Sequence, residues 1–127
     1  MKKNKLAVLG LSVGLLAFGG AVQAGTSYSS YNTTVGAFNG SGYTGYQTKT
    51  NSGTYGNLIS GTVGGSYTVD ARMQASSGTG SWVRSVTDND YRSLPNSVPS
   101  RTSARVQFSN DLITPVNVQV SGTWRSN

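Results

Sequence analysis

Apolar and polar side chains alternate with a period of two along the second half of the chain, and that alternation predicts strands. The clearest run is Val116-Asn117-Val118-Gln119-Val120, with valines on one face and amides on the other. Its parity reaches Trp124 past Gly122, and Pro115 stands at its start, where a missing N–H is tolerated. Just upstream, Ala104, Val106 and Phe108 alternate with Arg105, Gln107 and Ser109. Residues 110–114 read as a short connection that makes these two strands neighbours. A third alternation sets Tyr67, Val69, Ala71, Met73 and Ala75 against outward Thr68, Asp70, Arg72 and Gln74. After the Gly/Ser turn at 76–81, residues 82–86 read as its hairpin partner.

The first half is weaker but consistent. Residues 57–63 form a strand ended by Gly64-Gly65, residues 43–50 carry Tyr and Thr, and residues 28–38 end at Asn39-Gly40-Ser41-Gly42. Residues 88–101 hold Asp88-Asn89-Asp90 and two prolines, and read as the longest loop with a turn of helix near Tyr91. The sum is about seven short strands at turn spacings near a dozen residues, which predicts an all-β fold, an antiparallel β-sandwich or a small barrel. Its expected core is Tyr67, Val69, Ala71, Trp82, Val86, Val106, Phe108, Val116, Val118, Val120 and Trp124.

The first 24 residues stand apart. Lys2, Lys3 and Lys5 form a basic start, Leu6 to Val22 an apolar run, and Val22-Gln23-Ala24 a small-residue exit. This is the pattern of a secretory signal peptide cleaved after Ala24, leaving one all-β domain at 25–127 with no transmembrane segment. The expected locale is therefore extracellular. Cleavage removes three of the ten basic residues and none of the four acidic ones, so the net charge falls from +6 to +3. A charge of this size suits solubility and weak attraction to anionic polymers, and does not point to nucleic acid.

The chain of 127 residues contains no His and no Cys, and its four acids are all Asp. Zinc sites, haem ligation, disulfides and His-based nucleophilic catalysis are thereby excluded. Asp88 and Asp90 are candidates for calcium, but three oxygen-bearing side chains in one loop fall short of the usual six to eight ligands. The Asx-turn reading, in which these groups bond nearby backbone, is preferred. Asp70 and Asp111 have no spacing that makes them an acid–base pair, and no cofactor is implied. The expectation is a protein that is not an enzyme.

The tyrosines carry the stronger signal. Tyr28, Tyr31, Tyr43 and Tyr46 fall early in the chain and suit stacking on sugar rings, while Arg101, Arg105 and Arg125 suit contacts to anionic groups. Tyr is also a good strand residue whatever the strand binds, so a binding role and a packing role both stand. The expected partners are cell-wall polymers or another envelope protein.

Gly45-Tyr46-Gln47-Thr48, the strand from Ala104 to Asn110 and the ending Val120-Ser121-Gly122-Thr123-Trp124 resemble a group of small secreted proteins of Gram-positive bacteria. In that group acidic residues follow the final Trp; here Arg125-Ser126-Asn127 stands instead. The resemblance implies a secreted β-sandwich of unestablished activity and no catalytic residues. Some members lie near bacteriocin-type export genes, so a bacteriocin-like protein or its accessory factor is the alternative function, and a secreted hydrolase the third. Intact-mass measurement of the protein recovered from culture medium is expected to give a chain beginning at Gly25.

Overall fold

The computed structural model describes residues 23–127, and the expected signal peptide lies outside them apart from its last two residues. Ten strands run in chain order: β1 (Gln23–Ala24), β2 (Ser29–Val35), β3 (Ser41–Tyr43), β4 (Gln47–Thr48), β5 (Gly56–Val63), β6 (Val69–Ala75), β7 (Val83–Val86), β8 (Asp90–Leu94), β9 (Ser103–Ser109) and β10 (Val118–Arg125). Among the described residues there is no helix. One sheet has the order β1-β4-β9-β6-β7, with β3 also on β9; the other is β2-β10-β5-β8. Pairing is antiparallel except between β1 and β4. The fold is thus an open β-sandwich and not a closed barrel. Processing after Ala24 would leave the nine strands β2–β10.

The core lies between the sheets. Val69, Ala71, Met73, Ala104, Val106 and Phe108 from one meet Leu58, Val63, Val118, Val120 and Trp124 from the other. Most of these residues follow the period-two parity of their strands, which is why the sequence reading found most of them. Leu58 and Val63 share a face only because Gly61 is an extra residue between the pairs Ser60–Gly122 and Thr62–Ser121. Several expectations fail, for reasons that strand alternation does not carry. Residues 88–101 are not one loop: β8 pairs with β5, Tyr91 opposite Ile59, and buries Leu94. Only Leu94 in β8 is apolar and inward, so no alternation announces that strand. β9 and β10 are not neighbours, because residues 110–117 cross from one sheet to the other. Tyr67 and Val116 stand exposed in loops at the sandwich end, outside the core.

Trp82 also lies outside the core, because of a β-bulge. Val86 pairs with Val69 and Val83 with Ala71, so Arg84 and Ser85 together oppose Asp70. Ser85 takes a left-handed φ of 59°. The buried Asp70 carboxylate holds the bulge, accepting from Ser85 N at 3.1 Å and from Arg84 Nη1 at 2.7 Å. The inserted residue flips parity, so Val83 turns inward and Trp82 outward.

Tyr31, grouped with the surface tyrosines from sequence, is 6% exposed and packs on Phe108 with ring centroids 5.1 Å apart. It shares the parity of the buried Val35 and sits opposite Gly122. A Cβ at Gly122 would lie 2.2 Å from the Ile59 carbonyl oxygen and 2.8 Å from the Tyr31 hydroxyl, so only glycine admits the ring there. Burial pushes the Tyr31 phenol up from 10.0 to about 12. A raised phenol means that the folded chain holds this proton more tightly than the unfolded chain does. The stability so contributed is complete below pH 10 and is lost as pH rises through about 12. Chemical denaturation across that window should show wild type losing stability relative to Tyr31→Phe, with a constant difference at neutral pH.

Candidate arginine groove

β3 and β4 lie along the same edge of β9 and are separated by Thr44-Gly45-Tyr46. Tyr43 pairs with Gln107 and Gln47 with Ala104. Three residues on the outer strand therefore face two on β9, and the parity of the strand shifts by one. Thr44 carries the break: its N–H donates to Val106 O at 3.0 Å, and its hydroxyl accepts from Val106 N at 2.9 Å. Strict alternation would send Tyr43 and Tyr46 to opposite faces. The bulge puts both on the outer face, where the Arg105 guanidinium lies 3.9 Å from the Tyr43 ring centroid and 5.0 Å from that of Tyr46.

Arg105 is fixed from its other side as well. Its Nε donates to Gln74 Oε1 at 2.8 Å, and Gln74 is its cross-strand partner on β6. The next pair repeats the arrangement with strands exchanged: Arg72 on β6 donates through Nε to Gln107 Oε1 on β9 at 2.8 Å. The Arg72 guanidinium lies 4.4 Å from the Trp82 ring centroid. Each guanidinium is thus oriented by an amide oxygen at Nε and by an aromatic face, an arrangement that aims the terminal amino groups outward. The two ion pairs among the described residues, Arg84–Asp70 and Arg92–Asp90, leave Arg72, Arg101, Arg105 and Arg125 without a carboxylate.

Between these side chains runs an open groove of about 780 Å³, lined chiefly by Tyr46, Arg72, Gln74, Arg101 and Arg105. Arg101 reaches the rim from the loop before β9 with a left-handed φ of 67°, its N–H donating to Lys49 O at 2.8 Å. An L-residue held there costs roughly 1–2 kcal/mol. No carboxylate, imidazole or thiol lines the groove. It offers a hydrolytic reaction no general base, and offers an anion three guanidinium groups.

Of the seven candidates named from sequence, Tyr46, Arg101 and Arg105 line this groove, and Tyr43 stacks on Arg105 beside it. Tyr28 and Arg125 do not; they pair on the outer face of the other sheet, 4.7 Å from guanidinium carbon to ring centroid, with Arg125 Nε on Asn57 Oδ1. Tyr31 is in the core. Arg72, Gln74 and Trp82 were missed as site residues. The alternation of residues 67–75 did mark Arg72 and Gln74 as outward, but nothing in it said that β9 lies alongside. Asp88 and Asp90 serve the turn before β8: Asp88 accepts from Val63 N at 2.6 Å, and Asp90 from Thr87 N at 3.3 Å and Arg92 at 3.2 Å.

Comparison with protein-family models, with curated proteins and with solved structures gives no match, so the groove is read from its own chemistry. Thr44→Val keeps the shape of the bulge residue and removes the acceptor for a buried N–H. It is expected to cost about 1–3 kcal/mol in urea unfolding, and to move the Tyr46 ring off Arg105, visible as a chemical-shift change at the Arg105 side chain.

Proposed function

We propose that the protein is an exported, non-catalytic binding module that works by contact with an anionic polymer of the bacterial cell envelope. The observation that carries this reading is the groove with three arginines and no carboxylate in its lining. Arginine grips phosphate and carboxylate oxygens through paired N–H groups, and guanidinium groups already oriented by amide oxygens and rings lose little freedom on binding. Arg72 and Arg105 occupy diagonal positions on adjacent strands, which places them roughly 7–8 Å apart along the sheet. That spacing suits a ligand with repeated charges more than one with a single anion. The Tyr46 and Trp82 rings beside them offer apolar faces for sugar or polyol carbons.

Retention of the processed protein on purified cell wall tests the proposal. Walls carrying teichoic acid are expected to retain it, and walls stripped of that polymer are not. Arg72→Ala combined with Arg105→Ala should weaken retention by roughly tenfold or more for each charge-assisted contact removed, and salt should weaken wild-type retention. Equal retention on stripped walls, or an unchanged double variant, would sink the idea.

A further inference from the structure

The end of the sandwich beyond the last residue of β9 carries the most exposed apolar side chains of the described chain. Phe38 is 63% exposed, Leu112 72%, Ile113 84% and Val116 44%. Phe38 belongs to the β2–β3 loop, and the other three to the β9–β10 crossing. The two loops are tied directly: Phe38 N donates to Thr114 O at 2.8 Å, and Asn39 N to Asp111 O at 3.1 Å. All four side chains therefore share one apex. Phe38 holds a left-handed φ of 53°, unfavourable for a bulky side chain, so its presentation is kept against local backbone preference.

We infer that this apex is a lipid-surface anchor, which dips Phe38, Leu112, Ile113 and Val116 into the interfacial region of a bilayer. Three observations favour lipid as the occupant. The four side chains are exposed on two turns tied together at one end of the sandwich, and a fluid bilayer accepts such side chains without a matching recess. The loops also consume many of their own polar groups. Ala37 N donates to Asn117 Oδ1, Gly40 N to Ala37 O, Thr114 N to Asp111 O and Asn110 N to Gly40 O. The Asn110 amide donates to Val35 O and Gly36 O. Backbone groups already paired within the protein lower the cost of leaving water. Finally, residues 36–40 and 110–117 hold no cation and a single charge, Asp111. The apex therefore suits a neutral, zwitterionic surface and insertion driven by apolar burial.

This inference is independent of the arginine groove, and its test keeps the two apart. The processed protein is mixed with phosphatidylcholine vesicles and floated on a density gradient, at about 0.1 M and about 1 M NaCl, where the screening lengths are roughly 10 Å and 3 Å. Wild type is expected to float with the vesicles at both salt concentrations. The surface double variant Leu112→Asp with Ile113→Asp should lose at least tenfold in partitioning while its circular dichroism and its retention on cell wall stay unchanged. The variant lacking Arg72 and Arg105 should float as wild type does. Failure of wild type to float overturns the inference, as does flotation that survives in the Asp variant. A wild-type dimer in sedimentation without vesicles, abolished in the Asp variant, would assign the apex to a second copy and also overturn it.

Discussion

The fold is closed at the end opposite the apolar apex by polar side chains buried without a counter-charge. Gln47 and Lys49 point inward from β4 and its continuation, and both are buried, Lys49 at 1% exposed. Gln47 donates to Ser27 O, Ser29 Oγ and Trp124 O, and accepts from Ser126 N at 2.8 Å. The Lys49 ammonium donates to Ser126 O at 2.6 Å and to Thr54 O. These bonds join an edge of the six-stranded sheet to β2, to the end of β10 and to the loop before β5. A buried ammonium satisfied by carbonyl oxygens alone is expensive to desolvate, and burial pushes its pKa down. Any opening between the sheets at this end would break these hydrogen bonds together. The register of β4 on β9 is fixed as a result, and with it the bulge that aims Tyr46.

The groove owes its existence to interruptions of regular strand geometry. One bulge brings Tyr43 and Tyr46 to the same face; another turns Trp82 outward to meet Arg72. Between them, the reciprocal pairs Arg72–Gln107 and Gln74–Arg105 lock two cations onto a flat sheet with no acid nearby. The like-charge repulsion this leaves is tolerated because each guanidinium is stacked and its Nε is bonded. Asp70, the acid nearest in register on the same strand, is committed to Arg84 and to the Ser85 bulge.

This division explains what could be read from the amino-acid sequence. Regular alternation in 104–109, 116–124 and 69–75 announced strands, their inward faces and most of the core. The all-β class followed, because such periodicity is a local property. What failed was non-local or aperiodic. β8 has one inward apolar residue, so no pattern marks it. The left-handed Ser85 carries no residue-type signature, since serine tolerates ordinary strand geometry equally well. The pairing of β9 with β6, which builds the groove, follows from packing and crossover. Arg105, Tyr43 and Tyr46 could therefore be named as candidates while Arg72 and Gln74, equally placed in space, were passed over.

The buried Lys49 has a consequence for handling the molecule. It is the only lysine beyond residue 5, so a chain processed after Ala24 presents one side-chain amine, and the native fold hides it. Acylating reagents would then reach only the terminal amino group of the folded protein. Modification at Lys49 would record an opening event, and its rate would serve as a built-in gauge of how often the two sheets part.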